Sequence, residues 1–261
     1  MCEARVPEQK SSFPPLLQRS TAWFSARLGK VNASELDRVL GFGFGRNGAR
    51  RKVFDCLRDH RAPEPFSNDA TMWGQEHETE ALVTYMERCS FVEGLRSREH
   101  GGRTHPEHEW LRASPDALLY NEADELVGLV EIKAPYRLRD KPPPTIDSHI
   151  PLGYVLQMNL QMEVYDVGFC DFVQWTPHGI TVRRIRRNKT LFAFTQPLYE
   201  GFYNHATKSS DPYQRLDPSE VTRIETQINN LFLEIGITQA ERSERSEQST
   251  SINSSTPTQI S

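Results

Sequence analysis

The stretch GLVEIKAPY, residues 128–136, places an acid and a base two positions apart at the end of an apolar run. The overlapping segment ELVGLVEIK is nearly continuous in apolar residues, as central β-strands are. Because alternate side chains of a strand share a face, Glu131 and Lys133 should point one way and Ile132 the other. Buried charges are unfavourable unless they are paired or bind a metal. The stretch therefore predicts a central strand that ends in either a structural ion pair or a functional site.

Length and composition indicate a globular protein. The chain has 261 residues, of which 37% are hydrophobic and 10% aromatic, enough to form a full core. The formal net charge of -4 does not suit a protein that coats nucleic acid uniformly, although a local basic groove is compatible with it. The four cysteines are widely spaced along the sequence, so neither a zinc ribbon nor an iron–sulfur cluster is indicated.

Nothing in the sequence predicts a membrane protein. No apolar run approaches the roughly 20 residues that a membrane span needs, and the start MCEARVPEQK lacks the apolar region of a signal peptide. We therefore expect a soluble, intracellular protein, in the nucleus or the cytoplasm of a host. Residues 1–18 are expected to form a flexible arm, residues 19–237 one domain, and residues 238–261 a disordered, serine-rich tail.

Hydrophobic spacing predicts helices over residues 50–60, 72–89, 152–166, 189–205 and from 218 onward. The last of these helices has Asp217 as its N-cap and Glu220 three positions later, which is a capping-box arrangement. Strands are predicted over residues 91–95, 110–120, 125–133, 167–177 and 179–187. This order of elements describes an α/β domain with a central sheet.

Two further features lie in the first fifty residues. Ser34 is predicted to be the N-cap of a short helix. The stretch GFGFGRNGARR, residues 41–51, is too rich in glycine for a regular element, and its arginines predict a flexible basic loop.

A second acid is expected to meet the strand that carries Glu131. Asp116 follows Pro115, which biases the preceding residue toward an extended backbone, so Asp116 should lie at or near a strand. A hairpin around NEADE, residues 121–125, would pair the two strands. Asp116, Glu131 and Lys133 would then converge.

Two carboxylates and an ammonium at the edge of a sheet suit phosphodiester hydrolysis. Hard oxygen ligands of this kind hold Mg²⁺, which usually takes further ligands from water and substrate phosphate. Such a metal activates water and offsets charge on the phosphate, and a lysine can position the water. A second ion would need another acid from EHETE. Helical periodicity does not choose between Glu78 and the pair Glu76 and Glu80.

Five segments, in the same order, resemble the YqaJ-like viral recombinase family, the group that includes phage lambda exonuclease, within the PD-(D/E)XK nuclease superfamily. They are WFSARLGKVNAS, WGQEHETEA with a following tyrosine, ASPDALL, VEIKAP and YVLQMNLQM, and together they cover about residues 20–176. The resemblance implies a restriction-endonuclease-like core, with a mixed central sheet flanked by helices. It also implies Mg²⁺-dependent digestion of duplex DNA from the 5′ end, with two ions and with Mn²⁺ as a substitute.

The resemblance also implies roles for individual residues. Glu78, Asp116, Glu131 and the carbonyl of Ile132 would bind the metal, and Lys133 would be the catalytic lysine. This match selects Glu78 from the three acids of EHETE.

Three more positions match the family's motifs. Gln157 would lie beside the catalytic acids and lysine, and Arg27 with Ser34 would bind a phosphate of the DNA. A guanidinium and a capped helix start also suit a phosphate on chemical grounds. The sequence departs from the family at Ala117, where glycine is usual, and residues 41–51 match no family motif.

The sequence therefore predicts an exodeoxyribonuclease that acts on duplex DNA in recombination or DNA processing of a virus or mobile element. One alternative is a nucleic-acid-binding module that has lost catalysis, and another is a nuclease that acts on RNA. The resemblance further implies a homo-oligomer, commonly a ring-shaped trimer, and a single-strand annealing protein as a candidate partner.

The run RRIRRNK, residues 183–189, holds five basic residues in seven. On a strand these arginines would divide between two faces. A surface that tracks DNA phosphates and a solvated edge strand protected by charge fit the pattern equally well.

Overall fold

The computed structural model describes residues 18–42, 45–63, 67–89 and 92–233. The predicted arm therefore lies outside the described residues except for Gln18, and the predicted tail lies outside them entirely. Gln18 is attached to the domain, since its side-chain amide donates to the carbonyl oxygen of Pro115 at 2.8 Å. None of the helices in these ranges is long and apolar enough to cross a membrane.

A mixed five-stranded sheet forms the centre of the fold. The described residues contain eight strands, which divide between this sheet and a smaller one. They are β1 (Val31–Asn32), β2 (Arg96–Arg98), β3 (Arg103–Thr104), β4 (Leu111–Ala113), β5 (Ala117–Tyr120), β6 (Leu126–Lys133), β7 (Phe169–Thr176) and β8 (Gly179–Arg186). The large sheet has the order β2-β5-β6-β7-β8, in which β6 and β7 are parallel and the other neighbours antiparallel. A small sheet has the order β1-β4-β3. The predicted central strand is confirmed as β6.

The helices are α1 (Thr21–Ala26), α2 (Leu36–Val39), α3 (Arg46–Arg58), α4 (Asp69–Arg88), α5 (Leu152–Tyr165), α6 (Lys189–Lys208) and α7 (Pro218–Leu233). Polar side chains cap the backbone at several starts. Asn68 accepts from the N–H of Thr71 at 2.9 Å, and Asn188 accepts from that of Leu191 at 2.7 Å. Asp217 accepts from the N–H of Ser219 at 2.8 Å, so the predicted start of α7 is confirmed.

Helices cover both faces of the large sheet. On one face, Tyr85 of α4 packs in a cluster with Val130 and Ile132 of β6. On the other face, Leu156 of α5 packs in a larger cluster with Leu129. Successive residues of β6 therefore face opposite helices, and every residue from 128 to 132 is buried. This double burial is why the segment is nearly continuous in apolar residues.

The predicted strand at residues 91–95 is wrong. Phe91 lies outside the described residues, and residues 92–95 form a turn in which Gly94 has a φ of 77°. The N–H of Leu95 donates to the carbonyl oxygen of Val92 at 2.9 Å. Because a left-handed glycine turns the chain, the edge strand β2 begins only at Arg96.

The predicted helix cap at Ser34 is also wrong. The chain turns two residues earlier, because the backbone N–H of Asn32 and its side-chain amide both donate to the carboxylate of Glu35, at 3.2 and 2.9 Å. Ser34 is exposed within the short 3-10 turn Ala33–Glu35. With that carboxylate already in place, the turn does not use the serine hydroxyl as its cap.

The glycine-rich stretch is helical in its second half. Gly45, with a φ of 71°, precedes Arg46, the first residue of α3. Arg50 is buried and donates to the carbonyl oxygens of Val39 at 2.9 Å and Gln214 at 2.8 Å. These contacts fix the helix, so the prediction of a flexible basic loop is wrong for residues 46–51.

Candidate active site

The hairpin of β5 and β6 brings Asp116 to Glu131. Ala117 lies opposite Val130 in the antiparallel register, and the N–H of Asp116 donates to the carbonyl oxygen of Val130 at 3.1 Å. In return, the N–H of Ile132 donates to Asp116 Oδ2 at 2.6 Å. Asp116 also lies in the short connection between β4 of the small sheet and β5 of the large one. Backbone hydrogen bonds from the central strand thus fix its position.

Glu131 is almost completely buried, with 1% of its surface exposed. Its Oε1 accepts from the ammonium of Lys133 and from the amide of Gln157, the latter at 2.7 Å. Its Oε2 accepts from the amide of Gln161 at 2.6 Å. Three donors therefore compensate the burial of this carboxylate.

Lys133 is held between Glu131 and an aromatic ring. Its ammonium lies 4.8 Å from the centroid of the Tyr154 ring, which is a cation–π distance. Burial alone would lower the pKa of Lys133, but the carboxylates of Glu131 and Asp116 outweigh it and raise the pKa above its usual value. Lys133 is therefore a charged group, not a neutral base, at physiological pH.

The acid of α4 that faces the site is Glu78. Glu76 and Glu80 are exposed, whereas Glu78 is half-buried and forms an ion pair with Arg19. The carboxylate of Glu78 is also close enough to raise the pKa of Asp116. The structure therefore brings Glu78, and neither of its two neighbours, toward Asp116.

The electrostatics of Asp116 bear on whether a cation fits the site. Burial, together with repulsion from Glu131 and Glu78, holds the pKa of Asp116 well above its usual range. A divalent cation would relieve that repulsion, and the oxygen donors are the type that Mg²⁺ prefers. Within the described ranges, however, no three Asp, Glu, His or Cys side chains are gathered closely enough to hold a metal. The donors fit by chemistry, but Glu78 would have to leave Arg19 to reach a shared ion.

The N-terminal segment connects Arg27 to the segment before Asp116 through Trp23. The guanidinium of Arg27 lies 4.5 Å from the ring centroid of Trp23, and Trp23 Nε1 donates to Ser114 Oγ at 3.1 Å. Ser114 lies two residues before Asp116. Trp23 therefore links Arg27, the predicted phosphate-binding residue, to the connection that carries Asp116. Ser34 lies exposed on the turn after β1.

Most of the basic run at residues 183–189 is bound within the protein. Arg183 is buried and contacts Ser148 and Gln174, and Arg184 makes two bonds of 2.8 Å to the buried Asp171. Arg187 pairs with Glu163 and Asp166. Arg186 and Lys189 line an open cavity of about 490 Å³. The edge strand β8 is therefore neither simply solvated nor a continuous phosphate-binding surface.

Sequence reasoning missed Gln161 as a member of the site. The signal was present, because Gln157 and Gln161 are four positions apart on a predicted helix and therefore share a face. Both side chains contact Glu131.

Comparisons with known proteins agree with this fold. The chain matches the model of the YqaJ-like viral recombinase domain over residues 22–168. An alkaline exonuclease from Laribacter hongkongensis, LHK-Exo, has a TM-score of 0.56 and 24% identity, over 81% of this chain and 100% of that chain. The complex of LHK-Exo with dAMP has a TM-score of 0.57 and 25% identity, over the same shares. A comparison with curated proteins finds no match.

The family match covers more than half of the chain and includes every predicted site residue. The mixed sheet flanked by helices, with nuclease folds as its structural neighbours, confirms the predicted fold class. The chain belongs to the YqaJ-like viral recombinase domain family.

Proposed function

We propose that the protein is a Mg²⁺-dependent exodeoxyribonuclease that hydrolyses duplex DNA from the 5′ end, in recombination or DNA processing of a virus or mobile element. The observation that carries the proposal is the close placement of Asp116, just before β5, beside Glu131 and Lys133 of β6 in a YqaJ-like chain. The similar fold of LHK-Exo, an alkaline exonuclease, supports digestion from an end.

The metal ligands in this proposal are Glu78, Asp116, Glu131 and the carbonyl of Ile132. A bound Mg²⁺ would supply positive charge for the phosphate and lower the pKa of a water molecule. Burial and repulsion from Glu131 and Glu78 raise the pKa of Asp116, and a bound cation would relieve that repulsion.

Lys133 and Gln157 have separate roles. The charged ammonium of Lys133 can orient the attacking water or neutralise negative charge that develops on the phosphate. Gln157 donates to the same oxygen of Glu131 as Lys133 does, so it holds that carboxylate while the lysine engages the substrate.

Replacing Glu131 with Gln tests the catalytic site. We expect Glu131→Gln to abolish digestion of linear duplex DNA, because it removes a negative charge between Lys133 and Asp116 while keeping the side chain's shape. Digestion with Mg²⁺ and with EDTA is compared for both proteins, and melting temperature and DNA binding report folding. Glu80→Gln, at an exposed position of α4, is the matched control and should digest DNA like the wild type. Full activity of Glu131→Gln would contradict the proposal.

The same assay separates the two alternatives. A module without catalysis would bind DNA but digest nothing with Mg²⁺; the intact acids and lysine argue against it, because a site without function has no reason to keep buried charges. An RNA nuclease would digest RNA faster than DNA of the same sequence when the two are compared side by side.

Replacing Arg27 tests whether the protein recognises the phosphate at a DNA end. If its guanidinium binds a terminal phosphate, the wild type should digest DNA with a 5′-phosphate faster than DNA with a 5′-hydroxyl, and Arg27→Ala should remove that difference. End-labelled DNA of both kinds is the substrate. Arg51→Ala, at an exposed position of α3, is the control and should keep the preference. Equal rates on both ends in the wild type would contradict the phosphate site.

The assembly and partners of the protein complete the proposal. A ring-shaped homo-oligomer, commonly a trimer in phage-type members of the family, would let the enzyme digest DNA processively. Light scattering gives the number of subunits, and co-purification with a single-strand annealing protein from the same genome tests that partner.

A further inference from the structure

Gln161 is a fully buried side chain of α5 that contacts both segments carrying the catalytic acids. Its amide nitrogen donates to Glu131 Oε2 at 2.6 Å and lies 3.5 Å from the carbonyl oxygen of Ser114, two residues before Asp116. Its exposed fraction is 0%. A single amide group therefore joins strand β6 to the loop that leads to Asp116.

The other half of this amide argues against a role in packing alone. Gln161 Oε1 is buried and accepts no hydrogen bond within the described residues. A buried acceptor without a partner is unfavourable, and an apolar side chain of similar length would avoid that penalty. The position thus carries an unfavourable oxygen together with a nitrogen that is well placed for Glu131.

Gln157 and Gln161 hold different oxygens of the same carboxylate. Gln157 and Lys133 donate to Oε1, whereas Gln161 donates to Oε2. With donors on both oxygens, the plane of the Glu131 carboxylate is fixed. Asp116 is fixed to the same strand through the N–H of Ile132. The hydrogen bond from Gln161 therefore sets how the two carboxylates face each other.

We propose that Gln161 is a positioning residue that orients Glu131 toward Asp116 and thereby sets the affinity of the site for a divalent cation. The inference rests on the proposed function. Partners that orient metal ligands typically change metal affinity or activity by roughly 10- to 100-fold when they are removed. Loss of Gln161 weakens Mg²⁺ binding and lowers kcat by a factor in this range, and it leaves the KM for DNA unchanged.

The test is calorimetric titration with Mg²⁺ alone, without DNA, of the wild type and Gln161→Met. Methionine keeps the length of the side chain and removes the donor. Gln161→Asn is a second variant, which keeps a buried amide but shortens its reach. Asn159→Ser is the matched control, because Asn159 is a buried amide of the same helix that bonds to the backbone of Asn188, away from the acids. The kcat and KM for duplex DNA are then measured for all four proteins.

Weaker Mg²⁺ binding and lower kcat in both Gln161 variants, with unchanged values in Asn159→Ser, would support the inference. If the Gln161 variants bind Mg²⁺ like the wild type, or lose affinity only as much as Asn159→Ser does, Gln161 has a structural role and the inference is wrong. If the wild type itself neither binds Mg²⁺ nor digests DNA, the proposed function fails, and the role of Gln161 fails with it.

Discussion

Glu131 shows how a single residue can be buried and still carry a charge. Its carboxylate has donors from Lys133, Gln157 and Gln161, and one of these donors is itself charged. Charge-assisted hydrogen bonds of this kind are roughly twice as strong as neutral ones. The sequence presents the ion pair and the functional site as alternatives, but the two are compatible, because the ion pair holds a carboxylate that the proposed chemistry uses.

His105 is another buried polar residue, and it belongs to a different part of the fold from Asp116 and Glu131. Its Nδ1 accepts from the backbone N–H groups of Glu107 and His108, at 3.1 and 3.2 Å. Nδ1 can accept only when it carries no proton, so the folded state favours the neutral ring. Burial, with a smaller effect from His108, lowers the pKa of His105 below its usual value.

Because the pKa of His105 is lowered in the folded state, we expect the protein to lose stability in mild acid. The unfolded chain takes up a proton at His105 below pH of about 6.5, whereas the folded chain resists it until a lower pH, so stability falls as the pH drops below that value. His105→Asn keeps an acceptor for the two N–H groups and does not titrate. We expect urea denaturation between pH 7.5 and pH 5 to show a smaller loss of stability in this variant than in the wild type.

The matched control is His149→Asn, at an exposed position, which should lose as much stability in acid as the wild type. If His105→Asn and the wild type lost the same amount of stability between pH 7.5 and pH 5, His105 would not contribute to the acid sensitivity of the fold.

At the scale of elements, the pairing of β6 with β7 depends on a close approach at Gly128. A Cβ atom at this position would lie 2.3 Å from the ring of Phe169. The guanidinium of Arg184 lies 3.8 Å from the centroid of that ring, on a residue that also bonds to the buried Asp171. The ring therefore has little freedom to move away.

We expect Gly128→Ala to lower the free energy of unfolding by about 1–3 kcal/mol, the range for an overpacked core. Gly168→Ala is the matched control, because a Cβ there meets no atom within 4 Å. That variant should be as stable as the wild type or slightly more stable. Urea denaturation measures both. Equal stability of the two variants would mean that Phe169 rearranges at no cost.

At the scale of the whole molecule, α4 and α5 bring the site together from opposite faces of the sheet. Glu78 comes from α4, and Gln157 and Gln161 come from α5, while β6 supplies Glu131 and the connection before β5 supplies Asp116. A cation bound among these groups would link both helices to the central hairpin. Because the cation would bind only to the folded state, it should stabilise the entire domain.

We expect Mg²⁺ to raise the melting temperature of the wild type relative to EDTA. At a free concentration of about 100 times Kd, binding to the folded state adds about 2.7 kcal/mol. Asp116→Asn and Glu131→Gln should each remove most of this effect, because each removes one of the charges that a cation would offset. A melting temperature of the wild type that does not depend on Mg²⁺ would argue against a metal site among these acids.

The sequence by itself determined the features that depend on neighbours along the chain. Alternation along residues 126–133 places Glu131 and Lys133 on one face, and a short hairpin fixes the register that brings Asp116 to them. Helix caps such as Asp217 are equally local. Steric rules of the backbone and short turns decide these features, so they follow from a few residues each.

Only the tertiary structure decided the contacts that depend on how distant elements pack. The contact of Gln161 with Glu131 requires the exact placement of α5 on the sheet. The family resemblance had already selected Glu78, but its half-buried position beside Arg19 depends on the placement of α4. The burial of Arg50 and Arg183 likewise depends on carbonyl groups from remote segments. Periodicity describes one element at a time, whereas these contacts are the result of many weak interactions summed over the whole fold.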